Sequence, residues 1–391
     1  MATYSTPGVY IEEISVFPPS IAPVATAVPA FIGYTVMAKR KTDGDIAATP
    51  VRIASLLEFR TLFGEAPAET LNVTATKRIT ETGALLGVDV DWTGDRKTLP
   101  AAVLYYSLQL YFDNGGGPCY VYSLGNGGGT ADPDDYLAAI AAIEAVDEPT
   151  LLLFPDAAAE FEAANYATVV NAALASCAKL QDRFVIADVP GARLADDDDD
   201  PVDVDVVVAD FRGNVSNVRE QVKYGASYFP FVRTNLPLVA AETDVEVTLV
   251  VDQAPNAPAS SAPAGLETFK TTDTAVYAAV DAFVSAAYAT IPASGAVAGI
   301  YAQTDRSRGV WKAPANVSLN RVLGPAVMIT DEVQDRLNVD ATSGKSVNAL
   351  RAFFGKGTLV WGGRTLAGND NEWRYVNVRR FANFVEESVK K

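Results

Sequence analysis

The chain contains no histidine. That absence excludes Ser-His-Asp and Cys-His catalysis, histidine-ligated zinc and imidazole-based pH sensing. Cysteine is nearly as scarce: Cys119 and Cys177 are the only two in 391 residues, too few for a disulfide framework. Cys119 falls in the apolar stretch 118–124 and Cys177 on the apolar stripe of a predicted helix. Both are expected as small core residues of a protein made in a reducing compartment. Positive charge is in deficit as well. Against 48 Asp and Glu stand 31 Lys and Arg, a formal net charge of −17, so a protein that wraps nucleic acid through its phosphates is excluded. Unbroken apolar runs are also missing. Residues 14–38 are uncharged for 25 residues but are interrupted by Pro18, Pro19, Pro23 and Pro29. Residues 282–304, 23 in number, contain Pro292, Gly295 and Gly299. Neither can be one spanning helix, and no basic flank of a secretory signal precedes an apolar run. The expectation is a soluble protein assembled in the cytoplasm, without direct membrane insertion.

What is present is ordinary globular composition, 49% apolar and 20% charged, in a chain long enough for two or three domains. Residues 1–30 read as an arm: the β-favouring Val9-Tyr10-Ile11, then a stiff proline-spaced tract that cannot become helix. Residues 51–54 predict a strand and 55–63 a short helix, with Ser55 as N-cap and Gly64 past its end. The turn-rich stretch 65–99 gives no clear pattern. From Pro100 a helix apolar nearly all round runs through Phe112, Asn114-Gly115-Gly116-Gly117 stops it, and 118–124 is a strand. Asp132-Pro133-Asp134-Asp135 starts a helix that ends near Val146. Residues 151–154 form an apolar strand that Pro155-Asp156 stops. Tyr166, Val169, Val170, Ala173, Leu174, Cys177 and Leu180 then keep a 3.6-residue period, 184–188 is a buried strand, and 226–232 is another. A further helix is expected over 273–290. Continuous apolar strands alternating with helices predict an α/β fold (α+β overall), a mostly parallel sheet flanked by helices.

Several patterns imitate chemistry. Asp196–Asp200, with Asp203 and Asp205, is an acidic run best read as a solvated loop, because a calcium loop would alternate its acids and close on a Glu. Gly125-Asn126-Gly127-Gly128-Gly129-Thr130 has the glycine of a phosphate loop but no Gly-Lys-Ser/Thr. Ser343-Gly344-Lys345-Ser346 has Gly-Lys-Ser, but Val339 stands where the first glycine is needed. The enzyme alternative is a metal-dependent hydrolase: Asp156 and Asp188 both fall at the carboxyl ends of predicted parallel strands, where α/β sheets place ligands and where two carboxylates could hold magnesium. Against it, Asp is also a common turn residue at strand ends. No cofactor, metal or catalytic residue is expected. Residues 254–265, rich in Pro, Ala and Ser, read as a linker or surface loop. The last 47 residues carry nine basic and four acidic side chains, +5 locally against −22 for the remainder. Such asymmetry suggests head-to-tail charge pairing between copies or an acidic partner.

The residues also resemble a family. The opening 4–13, Tyr-Ser-Thr-Pro-Gly-Val-Tyr-Ile-Glu-Glu, the segments 24–33, 55–64, 298–305 and 309–316, and above all 360–366 followed by 373–380, are similar in order and content to the tail sheath proteins of contractile phage tails and phage-tail-like injection systems. The resemblance implies a structural subunit, not an enzyme, that polymerises around an inner tube in an extended metastable state. Contraction then drives the tube through a target envelope. It implies as partners other copies of the chain, an inner tube protein, and baseplate and terminator proteins. It implies an N-terminal arm and first part of an inner domain over 1–35, with Val9, Tyr10, Ile11 and Glu12 as the strand given to a neighbour. An outer strand-helix region would span 36–99. An α/β domain would span 100–330, with outward loops around 195–265. A tube-facing inner domain would begin at 331 and be cut short at 391, since family chains continue further. Arg374, Arg379, Arg380 and Lys390 are the candidate tube-facing cations, although Arg374 could also tie the fold internally. A self-assembling shell or surface-layer protein is the alternative structural reading.

Overall fold

The computed structural model describes residues 23–93, 100–126, 131–191 and 202–390. The run after the proline tract becomes β1 (Pro29–Gly33), buried at every position. β2 (Pro50–Ile53) and α1 (Leu56–Phe63) follow, and the Ser55 hydroxyl accepts the Glu58 N–H to cap α1. The stretch without a clear sequence pattern holds two long strands, β3 (Leu71–Ile79) and β4 (Leu85–Trp92). α2 (Val103–Asp113) is buried along most of its length. Then come β5 (Cys119–Ser123), α3 (Pro133–Glu144) and β6 (Leu151–Leu153). Pro155 does not simply stop β6: it opens α4 (Pro155–Glu160), because a proline is preorganised for the first helical turn. α5 (Ala163–Leu180) leads to β7 (Phe184–Asp188), and α6 (Val204–Asn214) and α7 (Arg219–Val222) lead to β8 (Gly225–Phe229).

The strand expected over 226–232 is two strands, β8 and β9 (Val232–Pro237), which belong to different sheets. β10 (Val245–Gln253) is followed by β11 (Ala259–Ser260) and β12 (Ala264–Gly265). The expected linker at 254–265 therefore turns back on itself, and both short strands pair with β10. α8 (Leu266–Thr272) and α9 (Thr274–Ser285) come next. The helix expected to reach 290 ends at Ser285, and β13 (Tyr288–Ile291) takes its last residues, where the β-branched Thr290 and Ile291 pair with β9. α10 (Ser294–Arg308), β14 (Val317–Ser318), β15 (Val322–Pro325), α11 (Asp331–Asn338), β16 (Val347–Phe353), β17 (Gly357–Val360) and α12 (Val376–Lys390) complete the chain.

The α/β expectation is borne out. Nine strands form one sheet in the order β14-β17-β16-β8-β7-β6-β1-β5-β2. From β16 to β5 every neighbour is parallel; β2, β17 and β14 add antiparallel edges. Side chains alternate between its faces. Phe31 joins the apolar layer of α2 and α10, while Ala30 and Ile32 join the layer of α3 and α5. A second sheet of five strands, β11-β10-β3-β4 with β12 beside β10, unites segments far apart in sequence: β3 and β10 pair in parallel over nine residues. β9 joins β13 and β15 in a third. Among the described residues no helix is long and apolar enough to cross a membrane.

Candidate interaction surfaces at the two ends of the sheet

Because the central strands are parallel, the large sheet has a carboxyl end and an amino end. Asp156 and Asp188 lie at the carboxyl end, as expected, and both are buried. Asp156 accepts the N–H of Tyr34, just past β1, and that of Leu104, at the start of α2, each at 2.7 Å. Asp188 accepts the N–H of Ser294, the first residue of α10, at 2.9 Å. Burial pushes Asp156 up to about 8 and Asp188 up to about 7, while these main-chain donors pull the other way. Each carboxylate thus caps a helix on the α2–α10 layer. Those two helices cross closely, for a side chain at Gly295 would meet the Ser107 carbonyl and one at Gly299 the Tyr111 carbonyl. Among the described residues no group of three or more acids or cysteines is placed to hold a metal ion. The Gly-Lys-Ser tripeptide is structural too: Lys345 is buried and its ammonium donates to the carbonyls of Arg212 and Val215, at the end of α6.

At the amino end, α12 and the segment 23–26 pack below the strand starts. Arg380 is 3% exposed and makes two bonds to Asp305, at 3.0 and 2.5 Å, and one to the Thr26 carbonyl. Its guanidinium also lies 4.6 Å from the Tyr301 ring centre. Arg379 is sandwiched between Trp373 (4.1 Å) and Tyr224 (4.8 Å) and donates to Asn383 and Glu386. Asn383 in turn donates to the carbonyl of the buried Arg183. The charges of Arg379 and Arg380 are therefore spent inside the fold, because α12 presses both onto the body. Arg374 is half-buried and bonds to the Asp370 carbonyl and to Asn371; Lys390 is exposed. Val9, Tyr10, Ile11 and Glu12, and the run Asp196–Asp200, lie outside the described residues.

Two surface features escape sequence reasoning. Between 23–26 and α12 runs a groove of about 540 Å³, lined by Val146, Phe184 and Phe384 and by the carboxylates of Asp147, Asp182 and Glu387 among others. Beyond the opposite end of the sheet, the β16–β17 turn holds Phe354 fully exposed. The signal was present in Phe353-Phe354-Gly355-Lys356-Gly357, an aromatic pair inside a glycine turn, where polar residues are the rule. The outer face of α12 is also apolar: Val378, Phe381, Val385 and Val389 are exposed, with Trp311 against Phe381.

Comparison with known proteins accords with this architecture. No protein-family model matches the chain. The helical sheath of the anti-feeding prophage in its contracted state is similar over 99% of this chain and 76% of that one, at 29% identity and a TM-score of 0.56. The sheath complex of an extracellular contractile injection system, PVC, also contracted, shares the fold at 24% identity and a TM-score of 0.56, over 100% of this chain and 74% of that one. A 99-residue segment is 26% identical to the tail sheath protein of Vibrio phage KVP40; it spans 25% of this chain and 14% of the phage protein. The class is that of structural, non-enzymatic shell-building subunits. Within it, the resemblance read from the sequence stands: this is a tail sheath protein of the kind found in contractile injection systems and phage tails.

Proposed function

We propose that this chain polymerises with copies of itself into a contractile sheath around an inner tube, capped by baseplate and terminator proteins. The sheath forms extended and shortens on a baseplate signal, driving the tube through a target envelope. The likeness to a contracted helical sheath over 99% of the chain is the observation that carries this reading. The use of both candidate catalytic carboxylates as helix caps supports it. Contraction needs no nucleotide if subunits exchange one set of contacts for a larger one. Each additional 1,000 Å² of apolar contact contributes on the order of 25 kcal/mol before the costs of ordering. The particle is assembled in the bacterial cytoplasm and acts as a phage tail, a released particle or an anchored injection system. Val9-Tyr10-Ile11-Glu12 is the strand lent to a neighbour, and Arg374 and Lys390, whose side chains reach the surface, face the tube. Co-expression with the inner tube protein followed by negative-stain microscopy tests the proposal. Striated tubes of two lengths support it; lone particles or flat arrays in every preparation overturn it.

A further inference from the structure

The two ends of the sheet are chemically complementary, and we infer that the β16–β17 tip of one copy docks, through Phe354 and Lys356, into the groove between 23–26 and α12 of the next. The inference rests on the self-assembly just proposed and adds to it a specific contact. Phe354 is fully exposed on a short turn whose Gly355 and Gly357 hold positive φ. The turn is braced from behind: Phe353 lies 4.6 Å from Trp361, and the Arg351 guanidinium 5.4 Å from Phe353. A braced aromatic with a lysine two residues on is a low-entropy anchor, the type of side chain that dominates interface energetics.

The groove offers the matching chemistry. Phe184 and Phe384 supply an apolar surface, and Asp147, Asp182 and Glu387 supply negative charge. Its lining cation, Arg380, is committed to Asp305. Position fits as well. The groove adjoins the strand starts Leu151 and Phe184, whereas β16 runs parallel to β8 and carries the tip beyond the other end. A contact between opposite ends of one subunit is heterologous, so it repeats along the strand direction and builds an open polymer rather than a closed dimer. It also gives the local +5 of the last 47 residues, which include Lys356, a destination on an acidic chain.

The test uses two full-length single variants, Phe354→Cys and Asp147→Cys, one of them tagged, mixed and mildly oxidised. Cys119 and Cys177 are buried, and burial pushes both thiols far up, so they add no background. The expected result is a disulfide-linked pair of tagged with untagged chain. Lys356→Glu should reduce its yield several-fold, and Asp147→Lys with Lys356→Glu should restore tube formation lost in either alone. No cross-link between tip and groove, or Phe354→Cys pairing only with itself, overturns the inference. So does a groove filled by the chain's own first 22 residues, which would block the cross-link. If no tubes form but the cross-link does, the sheath proposal fails and this contact stands.

Discussion

The carboxyl and amino ends of the large sheet bury charge in contrasting ways. At the carboxyl end, lone carboxylates are neutralised only by main-chain N–H groups at helix starts. At the amino end, arginines are buried with a carboxylate, carbonyls and aromatic rings around them. The first arrangement resembles an active site and the second resembles a cationic surface, and neither is one. In a subunit whose work is to hold shape through a large rearrangement, the strongest polar contacts are turned inward. What remains for partners is exposed apolar groups and a minority of free-ended charges.

The largest expected effect sharpens the amino-end side of this contrast. Arg380→Ala strands Asp305, itself 5% exposed at its side chain, without its cation. Breaking a buried pair in this way costs about 3–5 kcal/mol. The denaturant midpoint should fall accordingly, and Arg380→Met with Asp305→Leu should recover most of the loss. A loss under about 1 kcal/mol in the single variant would mean that α12 is not held by this pair.

The carboxyl end should respond to pH. The folded values of Asp156 and Asp188, about 8 and about 7, lie above the ordinary 3.8. Their contribution is therefore complete below about pH 4, declines as pH rises, and is exhausted once pH passes the folded values. Stability measured from pH 5 to pH 9 should fall by an amount on the order of a few kcal/mol, and Asp156→Asn should flatten part of the slope. Asp156→Ala, which leaves the N–H groups of Tyr34 and Leu104 without their acceptor, should cost roughly 2–4 kcal/mol at neutral pH. A flat profile in the parent chain would break the comparison.

Between the two ends, the α2–α10 crossing sets the thickness of the layer both ends attach to. Gly299→Ala places a methyl on the Tyr111 carbonyl and the Asn114 side chain. Overpacking of this kind costs about 1–3 kcal/mol. Thermal unfolding should show it, whereas Gly83→Ala, where nothing lies nearby but φ is +83°, should cost only backbone strain.

Much of the large sheet was legible because its strands are short apolar runs between helices with clear starts. Ser55 and Asp132 cap the helices expected of them. The second sheet was not legible. β4 alternates half-buried and exposed positions, and β3 finds its parallel partner, β10, far along the chain, so no local pattern announces either. The surface basic cluster was only half legible. Charge shows in sequence, but Arg379 and Arg380 are drawn inward by Trp373, Tyr301 and Asp305, which periodicity alone does not connect. Asp156 and Asp188 were placed correctly at strand ends; that they cap helices of the opposite layer depends on chain crossings that sequence does not reveal.

The smallest effect on stability should come from Lys390, and it separates surface from buried charge most cleanly. Lys390 is exposed at the end of α12, so Lys390→Glu should change the unfolding free energy by no more than about 0.5 kcal/mol. Arg374→Glu should cost somewhat more, because Arg374 also bonds to Asp370 and Asn371. If these two side chains face the tube, the pair of reversals should nonetheless weaken tube binding measurably at low salt, and the difference from the parent chain should shrink as salt screens it. Arg379→Glu would instead place a carboxylate between Trp373 and Tyr224 and unfold the region, so any loss of binding it causes says nothing about the surface. Tube binding unchanged in the Arg374→Glu, Lys390→Glu protein would move the tube contact away from α12.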